Sequence, residues 1–499
     1  MVEMRGIGRS AVVIYVGRPL KGKSMSDEDL GFMTAVEAVR RIRAKEISPV
    51  ELIDAVLRRA EVVQIACNAF ITISDDLARA EAKRAEDAVM AGDDLGPLQG
   101  VPFTVKDLVN TAGVKTTYGS HGFAANVPET DSIGVARLRA AGAVLIGKTT
   151  TPEFGHKPMT EAPLFGRTLN PWDTTRTPGG SSGGAGVAAA AGLGPLHVGT
   201  DGGGSTRIPA AACGVVGMKQ TLGRVPHDMT SDSFGCMSFI GPITRTVEDC
   251  GLMLDVMAGP HPSDVHSLGR GNSNFMGAAR GEGDLTGVKI GWRHYLGNDH
   301  MEAETLALFD SAIPAFVDQG AELVNHVTNF ESTLQHWAPL TFSLWNARFA
   351  HLAEELGEKM TETLRYWMEE GNAVKGVEVQ RANEARTRLF REVESWFGDI
   401  DLLVTPTLTR PAIAVDQDPR EPITLDNQTA DVPRASWYPY THPFNLSGHP
   451  AITVPCGFTS GGLPVGLQIV GPWLADDKVL HAAACFERAR PWADRRPEV

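Results

Sequence analysis

Hydrophobic positions along this chain switch repeatedly between helical and strand-like spacing, and the first helices carry clear start signals. Thr34 followed by Glu37 has the pattern of a capping box, which predicts a helix from there to about Ala44. Ser48 before Pro49 repeats the signal, because proline is favoured at the first helical position. Two successive helices are therefore expected in the first part of the chain.

Residues 101–106 alternate between apolar and polar side chains, as a strand does. The apolar side chains at 101, 103 and 105 would share one face, and Thr104 and Lys106 would share the other. The pattern therefore places a lysine at the end of a predicted strand.

Strands and helices alternate along the rest of the chain, which favours an α/β layered fold. The predicted helices are 133–141, 184–192, 303–319 and most of 331–397, and the predicted strands are 143–147, 288–292, 401–406, 451–455 and 465–470. The polar residues 416–434 are expected to form a long loop. We find no internal repeat and no clean linker, so one large domain is predicted over residues 25–499. Residues 1–24 are expected to be an N-terminal extension, loose or disordered, and either Met1 or Met25 could be the native start.

Composition narrows the classes of partner. The 499 residues carry a formal net charge of −14, which argues against nucleic acid and anionic membranes, because both call for a basic surface. No secretory signal is evident, and no stretch approaches the ~18 apolar residues of a membrane-spanning helix. The six cysteines form no CxxC pair, which predicts reduced, buried thiols in a cytoplasmic protein.

Candidate chemistry lies in two serine–glycine segments, residues 179–184 (GGSSGG) and 202–207 (GGGSTR), with Lys106 upstream of both. A serine nucleophile needs a base to take its proton and backbone N–H groups to stabilise the oxyanion. A lysine in a dry site can be neutral and can serve as that base. Asp201 and Arg207 flank the second segment and could pair across the turn. From these residues alone, both a serine hydrolase and a pair of flexible loops remain open.

Three other motifs match in letters but not in context. Residues 142–149 fit a P-loop, but their middle residues are themselves a predicted strand, where a P-loop would follow a strand and open a helix. Residues 184–189 fit a dinucleotide-binding motif without the strand that should precede it. Residues 179–183 fit the GxSxG elbow of α/β-hydrolases, for which His442 is the best available histidine. These readings are weaker than a lysine-assisted serine.

Taken in order, these and further segments resemble the amidase signature family. The matching segments are 100–107 (GVPFTVKD), 147–154 (GKTTTPEF), 178–184 (PGGSSGG), 199–209 (GTDGGGSTRIP), 213–219 (CGVVGMK), 241–245 (GPITR), 401–406 (DLLVTP), 443–451 (PFNLSGHPA) and 466–469 (GLQI). The resemblance spans about residues 30 to 490. It implies a single large α/β/α layered domain with a mixed central sheet flanked by helices.

The resemblance also implies a Ser–Ser–Lys triad. By motif position Ser205 corresponds to the nucleophile, Ser181 to a bridging serine that follows a cis peptide bond, and Lys106 to the base. The backbone N–H groups of Gly202, Gly203, Gly204 and Ser205 correspond to the oxyanion hole. Supporting positions in the family pattern are occupied by Ser182, Asp201 and Arg207. One departure is Gly202, where many family members carry a larger residue.

The implied function is hydrolysis of the C–N bond of a small or medium linear amide through an acyl-enzyme, without a metal or an organic cofactor. The expected partner is a small-molecule amide, carbamates remain open, and homodimers are common among relatives. The tail 491–497 has features of bacterial acylamidases. The amidase subunit of a tRNA-dependent amidotransferase is the alternative, and a non-catalytic binding protein is a third reading. Four segments are candidates for the pocket wall: 117–121, 159–160, 232–234 and 437–440.

Overall fold

A mixed eleven-stranded sheet is the central feature of the fold. The computed structural model describes residues 25–267, 269, 274–326 and 330–499, so the predicted extension, residues 1–24, lies outside the described residues. The strands in the described part of the chain are β1 (Phe70–Ile73), β2 (Pro102–Lys106), β3 (Val144–Thr149), β4 (Glu161–Ala162), β5 (Gly166–Arg167), β6 (Leu196–Asp201), β7 (Val216–Lys219), β8 (Phe239–Thr244), β9 (Lys289–Trp292), β10 (Glu322–Asn325), β11 (Leu402–Pro406), β12 (Thr424–Leu425), β13 (Gln428–Thr429), β14 (Ala451–Phe458) and β15 (Pro464–Val470).

The α-helices in the same residues are α1 (Asp27–Gly31), α2 (Ala35–Arg43), α3 (Pro49–Cys67), α4 (Asp75–Ala91), α5 (Ile133–Ala140), α6 (Gly183–Ala190), α7 (Arg207–Cys213), α8 (Val247–Met257), α9 (Phe275–Ala279), α10 (Ala303–Ala312), α11 (Pro314–Asp318), α12 (Leu334–Leu356), α13 (Glu362–Ala373), α14 (Gly376–Trp396), α15 (Pro433–Ser436), α16 (His442–Ser447) and α17 (Asp476–Ala489). Single turns of 3₁₀ helix occur at His121–Phe123, Glu153–Gly155 and Gly357–Lys359.

The strand order in the sheet is β1-β3-β2-β6-β8-β7-β14-β15-β11-β9-β10. Strand β2 runs parallel to both β3 and β6, and β9 runs parallel to β10 and β11, while the remaining neighbours are antiparallel. All residues of β2, β3, β6, β8 and β15 are buried, so both faces of the sheet are covered. A parallel sheet segment needs such cover from helices on both sides. The predicted α/β/α architecture with a mixed central sheet is confirmed.

The start signals read from the sequence mark the starts of both helices, but the capping box predicted at Thr34 is half formed, since the Glu37 carboxylate accepts from Arg40 and Arg41. The Thr34 side chain accepts a hydrogen bond from the Glu37 N–H at the start of α2. Ser48 caps α3 in the same way, accepting from the Val50 N–H, with Pro49 in the first turn. These ends are set locally, which is why the sequence alone locates them.

Two predicted segments differ from the structure. The helix expected over 303–319 is two helices, α10 and α11, because Pro314 starts a new helix. The loop expected over 416–434 contains the hairpin β12–β13 and the start of α15. The hairpin turn is made by Asp426 and Asn427, both with positive φ (47° and 64°), a conformation that these residue types tolerate.

Within the P-loop letters at 142–149, residues 144–149 form β3, as their strand-like pattern predicted. Lys148 is buried there, where its Nζ contacts the carbonyl oxygen of Val109 and the hydroxyls of Thr111 and Thr116, at 2.8 and 3.0 Å for the hydroxyls. It is a structural lysine. The extent of a single domain over 25–499 stays a prediction.

Candidate active site

Lys106 is the last residue of β2, between the parallel strands β3 and β6. Its Nζ lies 2.7 Å from the Oγ of Ser181 and 2.8 Å from the Oγ1 of Thr200. Thr200 lies near the end of β6, so the parallel pairing of β2 with β6 brings the amine and this hydroxyl to the same edge of the sheet. The amine therefore contacts two hydroxyl groups, that of Thr200 near the end of β6 and that of Ser181 just before α6.

Burial sets the charge of Lys106. The side chain is completely buried, and this desolvation holds its pKa well below the ordinary value, because water no longer stabilises the ammonium form. The negative charge of Asp201 acts in the opposite direction but does not outweigh burial. A lysine whose pKa is lowered in this way gives up its proton more readily than an exposed lysine, as a base in a dry site must.

Ser181 and Ser182 lie where the first glycine-rich segment turns into α6. The expected cis peptide bond is present between Gly180 and Ser181. The Ser182 Oγ donates to the carbonyl oxygen of Thr200 at 3.1 Å and accepts from the Thr200 N–H at 3.2 Å. The Ser182 N–H donates to the carbonyl oxygen of Ser205 at 3.3 Å. Ser182 thus fastens the turn both to β6 and to the second serine–glycine segment.

Asp201 and Arg207 form an ion pair across the second serine–glycine segment. Arg207 Nη2 is 3.0 Å from Asp201 Oδ1 and Nε is 3.0 Å from Oδ2, and both side chains are fully buried. Burial works to raise the pKa of Asp201, but the charge and hydrogen bonds of Arg207, with those from Asn445 and Thr206, outweigh it and hold the pKa below the ordinary value. The pair expected from the sequence is formed, and it lies in the interior rather than at the surface.

All three guanidinium nitrogen atoms of Arg207 donate hydrogen bonds. Besides Asp201, it donates to the Thr441 carbonyl oxygen at 2.9 Å, to the Gln468 side chain at 2.6 Å and to the Asn445 side chain at 2.7 Å. The loop that follows β6 is therefore fixed to segments far along the chain, and a fixed loop keeps its backbone donors in one orientation.

Hydrogen bonds from other segments, and one from within the loop, fix the backbone of residues 202–205. Trp337 Nε1–H donates to the Gly202 carbonyl oxygen at 2.9 Å, and the Thr441 hydroxyl donates to that of Gly203 at 2.6 Å. The Gly204 N–H donates to Asp201 Oδ1 at 2.7 Å. In the described residues, the N–H groups of Gly202, Gly203 and Ser205 have no such partner. Three of the four expected oxyanion donors are thus free, and that of Gly204 is occupied.

A cavity of about 590 Å³ lies in front of this loop, and Ser181, Thr200 and Ser205 line it. Ser205 is partly exposed, as a side chain facing a cavity is. Helix α12 contributes one side of the wall, through Trp337, Thr341, Leu344, Trp345, Arg348 and Phe349. Most of these side chains are large and apolar, so this side of the cavity suits an aromatic or aliphatic part of a substrate.

The segments expected to line the pocket do so in part. Tyr118, Asp232 and Tyr438 line the cavity, one from each of three predicted segments. Residues 159–160 do not, since Met159 packs in a separate hydrophobic cluster and the Thr160 hydroxyl donates to the Gly179 carbonyl oxygen at 2.9 Å.

Sequence reasoning missed Thr200 and Trp337. Thr200 lies beside Asp201 in the segment 199–209. A polar residue at the end of a strand within that segment could have indicated a place in the site. Trp337 belongs to a predicted helix, and a helix pattern does not tell an aromatic residue of the core from one that faces a cavity. His442, the histidine of the α/β-hydrolase reading, is buried and outside the cavity wall, and burial lowers its pKa to about 3.

The described part of the chain has neither a cluster of metal ligands nor a membrane-spanning helix. No group of three or more His, Cys, Asp or Glu side chains there has the arrangement of a metal site. In the same residues, no helix is long and apolar enough to cross a bilayer.

A model of the amidase family matches residues 51–480 of the chain. The chain belongs to the amidase family. An acylamidase of Rhodococcus erythropolis is 38% identical to this amidase over 483 residues, covering 95% of this chain and 98% of the relative. A glutamyl-tRNA(Gln) amidotransferase subunit from a Roseiflexus strain is 35% identical over 494 residues, covering 94% and 98%.

Solved structures agree with this assignment. A bacterial aryl acylamidase of the amidase signature family superposes on this amidase with a TM-score of 0.86 at 30% identity, covering 94% of this chain and 99% of the other. A 6-aminohexanoate cyclic dimer hydrolase, solved with its substrate, gives a TM-score of 0.82 at 31% identity, covering 94% and 99%. The protein is an enzyme that hydrolyses amides, as the sequence predicted, and the α/β-hydrolase reading is wrong.

Proposed function

We propose that this amidase cleaves the C–N bond of a linear acyl or aryl amide through a covalent acyl-enzyme on Ser205, with Ser181 passing protons between Ser205 and Lys106. The observation that carries the proposal is the 2.7 Å contact between the Nζ of Lys106, which is fully buried, and the Oγ of Ser181. A neutral amine hydrogen-bonded to a serine that lines the same cavity as a second serine is a base with a relay.

The first half of the reaction forms the acyl-enzyme. Lys106 takes the proton of Ser181, Ser181 takes that of Ser205, and the Ser205 Oγ attacks the amide carbonyl carbon. The carbonyl oxygen becomes an oxyanion that the free N–H groups of Gly202, Gly203 and Ser205 would stabilise. The C–N bond then breaks, and the departing nitrogen receives a proton from Ser181, which is reprotonated by Lys106.

The second half returns the enzyme to its starting state. Water gives a proton to the same relay and attacks the acyl carbon, and the ester bond to Ser205 breaks as the proton returns to its Oγ. The products are a carboxylic acid and an amine. Atoms and charges balance with water as the sole co-reactant.

Asp201, Arg207 and Ser182 are assigned positioning roles. Asp201 and Arg207 would keep the loop rigid through the buried ion pair, and Ser182 would fix the turn that carries Ser181. Gly204 would contribute through its contact with Asp201 rather than as an oxyanion donor.

The alternative, an amidase subunit of a tRNA-dependent amidotransferase, is supported by relatives of that name at about 35% identity. That reaction releases ammonia from glutamine. The aromatic wall of α12 favours a larger apolar substrate. Glutamine hydrolysis therefore separates the two readings.

Six free, buried cysteines support a reducing compartment, and we place the enzyme in the cytoplasm. A homodimer remains a prediction that sedimentation velocity would test.

The test is hydrolysis of a panel of 4-nitroanilides, aryl amides, aryl carbamates and L-glutamine by the wild type and by Ser205→Ala. We expect wild-type activity on aryl or acyl amides, a loss on the order of 10⁴-fold or more in the variant, and an acyl adduct on the peptide that contains Ser205. Ser395→Ala, an exposed serine on α14, is the matched control. Unchanged activity in Ser205→Ala would refute the proposed nucleophile, and activity on glutamine alone would favour the alternative.

A further inference from the structure

Arg434, in α15, has its guanidinium group surrounded by four aromatic rings. The guanidinium carbon lies 4.6, 5.3, 5.8 and 5.3 Å from the ring centroids of Trp337, Phe342, Trp345 and Trp367. The residue is only 6% exposed. Aromatic faces attract a cation, and more strongly away from water. The rings therefore hold the positive charge in place without neutralising it.

Most of the hydrogen-bonding capacity of Arg434 is unused. Its Nη2 donates to the His156 carbonyl oxygen at 3.3 Å, while its Nε has no partner. Within the described ranges no carboxylate forms an ion pair with it, and the group whose charge acts to raise its pKa is the phenol of Tyr438. Arg207, equally buried, is by contrast paired with Asp201. Buried guanidinium groups are normally paired, whereas the charge of Arg434 has no counterpart among the described residues.

This unpaired cation lines the same cavity as Ser205. Trp337 lies between the two sites, because its ring contacts the Arg434 guanidinium and its N–H donates to the Gly202 carbonyl oxygen. A substrate whose scissile carbonyl lies at Ser205 would extend along the indole ring to reach the arginine.

The other charged groups of the cavity leave this wall positive. Arg348, on α12, also lines the cavity, with its guanidinium carbon 5.0 Å from the ring centroid of Phe349, and forms no ion pair with any described residue. The carboxylates of Asp228 and Asp232 belong to a different segment and accept backbone N–H groups at 3.4 and 3.0 Å. An anion in the cavity would therefore be attracted to the wall formed by α12 and α15.

We propose that Arg434 is a specificity-determining residue that binds a carboxylate carried by the substrate away from the scissile amide, with Arg348 adding to the attraction. The inference rests on the proposed amidase function and names its substrate class: amides with an apolar spacer that ends in a carboxylate. The guanidinium offers N–H donors to carboxylate oxygens, and such charge-assisted bonds are strong. The spacer packs on the aromatic wall.

Two substrate pairs test the proposal on the wild-type enzyme. Glutaryl and valeryl 4-nitroanilide differ by a carboxylate on the acyl side, and 4-acetamidobenzoate and 4-acetamidotoluene differ by one on the amine side. We expect kcat/KM to be roughly tenfold or more higher for the carboxylate member of at least one pair. The absence of a preference for the carboxylate member in either pair would overturn the proposal.

Variants assign the preference to the residue. Arg434→Met should remove the advantage of the carboxylate member by raising its KM and leave the methyl member within about threefold of the wild type. Arg434→Lys should restore part of the advantage. The control is Arg495→Met, since Arg495 stacks on Phe458 outside the cavity wall. An equal loss on both members of a pair would mean that Arg434 is structural and would overturn the proposal.

Two further measurements keep the outcomes distinct. If Arg434→Met does not fold, the question is decided by the ratio of kcat/KM for the carboxylate member to that for the methyl member, measured in the wild type and in Arg348→Met. The absence of a wild-type preference, with a ratio that Arg348→Met leaves unchanged, counts against the proposal. The acyl adduct on Ser205 is scored separately. The absence of the adduct would refute the proposed mechanism. The preference for the carboxylate member is measured from hydrolysis rates alone, so it is tested independently of the adduct.

Discussion

The indole N–H of Trp337 donates to the carbonyl oxygen of Gly202 at 2.9 Å. The carbonyl of Gly202 and the N–H of Gly203 belong to one peptide unit, and in a trans unit they point in opposite directions. The hydrogen bond therefore directs the Gly203 N–H away from the indole and leaves it free of protein partners in the described residues. Helix α12 thus orients a donor of the proposed oxyanion hole.

Replacing Trp337 with phenylalanine tests this orientation. Trp337→Phe keeps an aromatic ring against the loop and removes the N–H donor. We expect kcat to fall roughly fivefold to tenfold, as expected for one lost hydrogen bond that positions an oxyanion donor, with a smaller change in KM. Steady-state kinetics on a 4-nitroanilide measures the effect. A fall in kcat/KM carried by KM alone would contradict it.

Thr200 gives the Lys106 amine a second contact besides the one with Ser181. Thr200→Val removes the hydroxyl at nearly constant volume and should lower kcat by about tenfold, because the amine loses one of two contacts that position it. Thr200→Ser keeps the hydroxyl and should retain most of the activity. Equal losses in the two variants would point to packing rather than to the hydrogen bond.

The pH dependence of the reaction follows from the charge of Lys106. Its folded-state pKa lies well below the ordinary value, so kcat/KM should fall as the pH decreases through that pKa and the base becomes protonated. The same shift makes the unfolded chain bind a proton that the folded chain does not. Stability should therefore rise with pH between the two pKa values, and less steeply in Lys106→Met. Rate profiles with an uncharged substrate and urea titrations at several pH values measure both effects.

Gly202 and Gly204 form a matched pair for substitution. Gly204 has φ of 126°, and an added Cβ would lie 2.4 Å from the Thr441 Oγ1, so Gly204→Ala should inactivate or destabilise the enzyme. At Gly202 the nearest atom to an added Cβ is the Ser238 Oγ at 4.0 Å, so Gly202→Ala should fold and stay active. Activity and melting temperature of the two variants give the comparison. Equal tolerance at both positions would contradict the fixed geometry of the loop.

The buried ion pair should be costly to break from one side. Asp201→Asn leaves the Arg207 charge without its partner in the interior, and we expect a loss of about 3 to 5 kcal/mol in the free energy of unfolding. Chemical denaturation of the variant and the wild type measures it. A loss under about 1 kcal/mol would mean that solvent reaches the pair.

Local signals made much of the fold predictable. The caps at Thr34 and Ser48 act within a few residues, and the glycine-rich segments are marked by composition, so the sequence located both. The roles of Lys106, Ser181 and Ser205 came from a resemblance in motif order. The structure adds the contact of the amine with Ser181.

What the sequence did not predict depends on contacts between distant segments. The hydrogen bond from Trp337 to Gly202 spans 135 positions, and no periodicity of α12 indicates that its aromatic side faces a cavity. The hairpin turn at Asp426 and Asn427 was not predicted, because the residue types that form tight turns are also common in long loops. The pairing of Arg207 with Asp201 was foreseen, but its burial was not.

The hydrogen bonds of Arg207 have a consequence for protein synthesis. Every proposed catalytic residue lies before Arg207 in the chain, yet this side chain is satisfied by Thr441, Asn445 and Gln468, which leave the ribosome much later. A nascent chain that stops short of them would keep the ion pair with Asp201 but would leave the Nη1 group of Arg207 without an acceptor. We expect catalytic competence to appear only near the end of translation, and fragments that retain all three catalytic residues to be inert.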